Sequence, residues 1–141
     1  MGAPLGNTVG PLQGSKGKPM SMNLYIAAKD KRYAYVLYDK GEEIEKKINE
    51  GVKRPDEALN AALLEGLREI RWQPSPDNLL VLSHETEFMA YTQEFYDEPL
   101  ARSTGLFEAL LGNLLREFHF PVMFKTCPAQ KNEALRLLEV E

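Results

Sequence analysis

The sequence predicts an α/β domain built on a five-stranded mixed sheet with helices on both faces, and three observations predict it. Strand-like and helix-like patterns follow one another in the order β-β-β-α-β-α-α-β-α. The first three strands are joined by short charged turns, so they form an antiparallel meander. The later strands alternate with helices, which requires crossovers and neighbours running parallel.

The first strand is residues 24–28, Leu-Tyr-Ile-Ala-Ala, and it ends in the charged turn Lys29, Asp30, Lys31 and Arg32. Residues 33–38, Tyr-Ala-Tyr-Val-Leu-Tyr, form the second; they are rich in the aromatic and β-branched residues that suit a pleated surface. Asp39, Lys40 and Gly41 supply the next turn. The third strand, residues 42–48, is heavily charged and belongs at an edge, where charge discourages pairing with another molecule. Pro55, Asp56 and Glu57 mark a helix start, because proline fits the first turn and acids favour the positive end of the helix dipole. That helix runs to about Arg71. Leu59, Ala62, Leu63, Gly66, Leu67 and Ile70 recur at spacings of three and four, so one stripe packs on the sheet while Glu65, Arg68 and Glu69 face away. Pro74 and Pro76 end it. Residues 79–82 are continuously apolar, as in a central strand covered on both faces. A short helix over 85–95 follows, then a loop through Pro99 and a stronger helix opened by Ser103. The stronger helix carries Leu106, Phe107, Leu110, Leu111, Leu114, Leu115 and Phe118. Residues 121–125 make the fifth strand, and Pro128 opens a last helix through Leu135 and Leu138.

Size and composition bound what the chain can do. Its 141 residues suit one domain, and 43% hydrophobic content is enough for an ordinary core. Residues 1–22 hold five of the ten glycines and three of the nine prolines with no apolar period, so they read as a flexible leader or linker preceding a domain over 23–141. They contain Lys16 and Lys18 and no acid, which leaves 15 bases against 21 acids, a net −6, on the remainder. A net acidic domain disfavours tight autonomous nucleic-acid binding, because phosphate contacts supply most non-specific affinity. No apolar run approaches the roughly 20 residues of a membrane span. A single cysteine, Cys127, forms no internal disulfide, so an intracellular, cytoplasmic or nuclear, location is expected.

Several segments, taken in order over about residues 23–139, resemble the ribonuclease HI family of ribonuclease H-like domains. Residues 24–27, Leu-Tyr-Ile-Ala, resemble its first strand, where the family has Leu-Tyr-Thr-Asp. Residues 33–38 resemble the second strand and residues 61–67 the first helix. Residues 81–84, Val-Leu-Ser-His, resemble the fourth strand, which ends in Ser-Asp in the family. Residues 125–128 with Asn132, Glu133 and Ala134 resemble the last strand and its Asn-Glu-x-Ala-Asp helix. The resemblance implies a ribonuclease H-like fold and an ancestry in nucleic-acid chemistry. Family enzymes hold two magnesium ions with clustered carboxylates, which clamp the attacking and leaving oxygens of an in-line cleavage. Here the first-strand acid falls on Ala27, the fourth-strand acid on His84 and the last-helix acid near Arg136, while the helix glutamate falls on Glu57 or Leu59. The Lys29–Arg32 turn also omits the family's longer glycine-rich loop. Two-metal hydrolysis in the family's manner is therefore expected to fail.

Other chemistry has a bland and a sharp reading. His84 at a strand's carboxyl end, where open α/β sheets place ligands, is a metal ligand or general base if Glu57, Glu85 and Glu87 lie near it, and otherwise a helix-capping or solvent-facing histidine. His119 lies between Phe118 and Phe120 and reads as a strand entrance. Cys127 at a helix start lacks an orienting histidine in sequence and reads as unreactive. Tyr25, Tyr33, Tyr35 and Tyr38 do not form one base-stacking platform, because residues 33 and 35 share one face and 38 lies on the other.

The resulting expectation is a catalytically degenerate ribonuclease H-like domain acting as a non-catalytic interaction or architectural module of nucleic-acid machinery. It needs no cofactor, and any nucleic-acid contact is weak and rests on Lys29, Lys31 and Arg32. Two alternatives remain open. One is an active nuclease using Mg2+ or Mn2+ on relocated groups drawn from Glu57, Glu65, His84, Glu85 and Glu87. The other is a protein-binding or self-associating domain that uses the apolar arc of Leu106, Phe107, Leu110 and Leu111.

Overall fold

The computed structural model describes residues 21–98 and 105–140. Five strands form one sheet: β1 (Ser21–Lys29), β2 (Arg32–Asp39), β3 (Glu42–Asn49), β4 (Asn78–Ser83) and β5 (Val122–Thr126). The described residues also form four α-helices: α1 (Ala58–Ile70), α2 (Thr86–Asp97), α3 (Leu106–Glu117) and α4 (Glu133–Val140). The sheet order is β3-β2-β1-β4-β5. β1 pairs antiparallel with β2 and β2 with β3, whereas β4 runs parallel to β1 and β5 parallel to β4. This is the expected mixed sheet.

The boundaries correct the sequence reading at several points. β1 begins at Ser21, and Met22 is buried in the core, so these two residues, assigned to the leader, belong to the sheet. Pro55–Glu57 form a 3-10 turn that leads into α1. Ser103, assigned as a helix start, lies outside the described residues. The last α-helix begins at Glu133, five residues after Pro128, because a separate 3-10 turn, Ala129–Lys131, intervenes.

The sheet separates two apolar layers, as the period of two along each strand dictates. On one side Met22, Leu24, Ile26, Tyr33, Tyr35, Leu37, Leu79, Val81, Val122 and Phe124 pack with α1, α2 and α3. On the other, Ala27, Ala34 and Val36 pack with Ala134 and Leu138 of α4. Helices thus lie on both faces. α1 approaches β1 so closely that a Cβ on Gly66 would stand 2.8 Å from the buried Leu24 side chain. The tyrosines divide as expected: Tyr33 and Tyr35 are in the larger layer, and Tyr25 and Tyr38 meet edge to face at 5.7 Å on the other.

Both sheet edges are protected. β3 is charged, and a bulge at Ile44 interrupts its pairing between Glu43 and Glu45. On β5 the Val122 amide donates to the Tyr96 hydroxyl at 3.2 Å and the Phe124 amide to Gln93 Oε1 at 2.9 Å, so α2 occupies that edge. Among the described residues, no helix is long and apolar enough to cross a membrane.

Candidate functional site

The parallel pairing of β1 with β4 runs up to Tyr25 and Leu82. Beyond it the carboxyl ends of the two strands lie side by side, which is where an open α/β sheet offers a ligand site. The residues that meet there are Ala27, His84 and the start of α4. Ala27 has 0% exposure and packs with Ala134 and Leu138. A methyl group inside an apolar cluster neither binds a cation nor leaves room for one.

Asn132 organises the same place, and it is fully buried. Its Nδ2 donates to the Ile26 carbonyl at 3.0 Å, serving the backbone of β1 just past the point where pairing with β4 stops. The same Nδ2 lies 3.0 Å from His84 Nδ1. Its Oδ1 accepts from the amides of Ala134 at 3.0 Å and Leu135 at 3.3 Å, which makes Asn132 the N-cap of α4. With Nδ2 as donor, His84 Nδ1 must be the acceptor, so the ring proton is on Nε2, which faces Glu85 Oε2 at 3.3 Å. One carboxamide therefore fastens β1, the end of β4 and α4 together. His84 is neither a helix cap nor turned to solvent: its side chain is 22% exposed and its ring is held by two partners.

The other groups considered for chemistry are dispersed. Glu65 does not face away from the sheet. It accepts from the Tyr33 hydroxyl at 2.5 Å and from Asn49 Nδ2 at 2.7 Å, in the layer opposite Ala27. Burial, and next the neighbouring Glu65, push the Tyr33 hydroxyl up to about 12. Glu57 is exposed at the head of α1, Leu59 is half-buried against the core, and Glu87 is exposed in the first turn of α2. Arg136 is exposed and pairs with Glu133 at 3.3 Å. Among the described residues, no three of His, Cys, Asp and Glu come together in a way that would hold a metal ion. Glu57, Glu65, His84, Glu85 and Glu87, all among the described residues, do not come together as one such group.

Cys127 is half-buried next to this end of the sheet, its amide donating to the Ser83 carbonyl at 2.9 Å. Burial pushes its thiol up, away from the reactive thiolate. Tyr25 is raised above its ordinary value by burial first and then by Glu133 and Cys127. At the β1–β2 turn Lys29 and Lys31 are exposed, but Arg32 is half-buried and its guanidinium reaches the Leu138 carbonyl at 3.5 Å, so the basic cluster is smaller than the sequence suggests.

The apolar arc of α3 is mostly interior. Leu111 is fully buried and Leu114 nearly so, while Phe107 and Leu110 are half-buried against the core. Phe107 packs on Phe88 at 6.2 Å between ring centroids. Leu106 alone of the four proposed interface residues is exposed, at 76%, so Leu111 is corrected from interface to core. Sequence reasoning missed the role of Asn132. Its signal is an asparagine immediately before an acid-led helix, which is an N-cap pattern, whereas Pro128 points to an earlier helix start.

No protein-family model matches the sequence, and no curated protein matches it. Solved structures do. The N-terminal RNase H domain of rv2228c from Mycobacterium tuberculosis, solved as a fusion with maltose-binding protein, is 12% identical, with a TM-score of 0.67 over 84% of this chain and 90% of that one. RNase H1 from the halophilic archaeon Halobacterium salinarum is 15% identical, with a TM-score of 0.61 over 84% of this chain and 92% of that one. LC11-RNase H1, solved in complex with an RNA/DNA hybrid, is 16% identical, with a TM-score of 0.64 over 83% of this chain and 91% of that one. At such identities the likeness is one of fold. These matches and the strand order β3-β2-β1-β4-β5 establish that the chain has the ribonuclease H-like fold.

Proposed function

We propose that this chain is a catalytically degenerate ribonuclease H-like domain that works by binding, as an interaction or architectural module of intracellular nucleic-acid machinery. The observation that carries the reading is the buried Ala27 beneath Ala134 and Leu138, beside an imidazole already held by Asn132. Hydrolysis through two ions needs several carboxylates converging on one cavity. At that place Ala27 meets apolar contacts and Asn132 and His84 are hydrogen-bonded to one another, while a cation, Arg136, stands on the helix that would bring the last acid. The link to nucleic acid rests on the fold and on the hybrid bound by LC11-RNase H1; the net −6 of residues 23–141 argues for a protein as the principal partner.

The test is a labelled RNA/DNA hybrid incubated with the full chain and Mg2+ or Mn2+. The hybrid is expected to stay intact. Cleavage that persists through repurification and disappears in Glu57→Gln or Glu85→Gln would establish the relocated-carboxylate alternative instead.

A further inference from the structure

We infer that the face of β4 and β5 beside α4 is a docking groove for one amphipathic, acidic helix of a partner protein. The inference rests on reading the domain as a binding module and names where it binds. A helix is about 10 Å across and strands lie about 4.8 Å apart, so one helix covers roughly two strands. α4 covers β1 and β2. On the same face of β4 and β5, Leu80 is half-buried and Met123 half-exposed, so the stretch beside them is open, whereas Leu82 further along β4 is buried.

That face is a groove of about 400 Å3 bordered by Ser21, Asn78 and Pro121. Leu80 and Met123 are register neighbours on its floor, with Asn23 beside Leu80. Met123 is 50% exposed, an unbranched and adaptable side chain of the kind that receives helices. A partner strand is a poorer occupant, since Tyr96 and Gln93 already take the outward amides of β5.

Charge selects among helices. Among the described residues, Lys125 is the only charged one lining the groove. An acidic helix meets it favourably. A second copy docked by two-fold symmetry brings a second Lys125 towards the first. Residues 1–20 of the chain itself carry Lys16 and Lys18 and no acid, so they do not complement it either.

The experiment follows the Met123 methyl resonance in the full chain, assigned with Met123→Leu, during titration with two synthetic helical peptides. Both carry Leu at i, i+3, i+4 and i+7; one is flanked by Glu, the other by Lys. Saturable movement with the Glu peptide is expected, weakened about tenfold by Lys125→Glu, which is an exposed position and gains affinity for the Lys peptide. Met123→Glu abolishes the binding. Equal movement with both peptides, or none at millimolar peptide, overturns the inference. So does movement with protein concentration alone, which would make a second copy the occupant, or movement on deleting residues 1–20, which would make it the chain's own segment. Hybrid cleavage on the same preparation separates the two readings: a nuclease that takes the Glu peptide contradicts only the proposed function, and an inert domain with an unmoved Met123 contradicts only the groove.

Discussion

Substitution of Asn132 should cost more than any other single polar change in the domain, and the structure says how the cost divides. Its Oδ1 caps α4, a contribution of about 1 kcal/mol. Its Nδ2 serves the Ile26 carbonyl and His84 Nδ1, and each net hydrogen bond contributes about 1 kcal/mol, more where the abandoned acceptor stays dry. Asn132→Ala is therefore expected to lose about 3 kcal/mol, or roughly 12 °C in Tm for a domain of this size. Asn132→Ser separates the parts: serine keeps the cap but is too short for the two acceptors, so it should lose about 2 kcal/mol. Asn132→Asp keeps the cap and lets His84 Nδ1 carry the proton and donate, but it turns a carboxylate oxygen towards the Ile26 carbonyl, so it should still fall below wild type. Urea unfolding at matched pH, followed by circular dichroism, reads all three. A loss below about 0.5 kcal/mol in Asn132→Ala, or an aspartate variant as stable as wild type, would refute the hub.

Three further outcomes follow from the packing. Gly66→Val should destabilise by about 1–3 kcal/mol, because even its Cβ meets the fully buried Leu24, and thermal melts will read it. Leu111→Glu should unfold the domain while Leu106→Glu stays within about 0.5 kcal/mol of wild type and leaves the sedimentation behaviour unchanged. Tyr33 and Tyr35 are both pushed up to about 12, by burial first and then by Glu65 and Glu69 respectively. The unfolded phenols lose their protons near pH 10 while the folded ones keep them, so stability is intact below about 10 and falls from there to about 12. The fall is on the order of 1–2 kcal/mol per tyrosine, and Tyr33→Phe should remove one share in urea titrations across that range.

The sheet was legible because its signals are local. Tyr33 to Tyr38 alternates between two buried layers, Glu42 to Ile48 carries the charge of an edge, and the stripe of α1 has the right period. Ala27, His84 and Arg136 stand in the sequence where the family resemblance implies acids. What lay beyond reach were properties that depend on a third partner. Glu65 shares a helix face with Arg68 in sequence, yet Tyr33 and Asn49 from two other strands turn it inward. Leu111 reads as one residue of an over-wide apolar arc, and only the arrangement of α1, α2 and α3 places it in the core. The run over 79–82 suggests a strand covered on both sides. In fact Leu80 is half-buried, because α4 packs on β1 and β2.

The central claim is that the carboxyl ends of β1 and β4 do not gather catalytic ions. Titration of Mn2+ into 15N-labelled full chain tests it most directly, because the bound paramagnetic ion broadens amide signals close to it. Weak broadening is expected, spread over exposed acids such as Glu43, Glu57 and Glu87, with no saturable site. Selective broadening of Ala27, His84 and Arg136 that saturates below about 0.1 mM, and is competed by Mg2+, would contradict it.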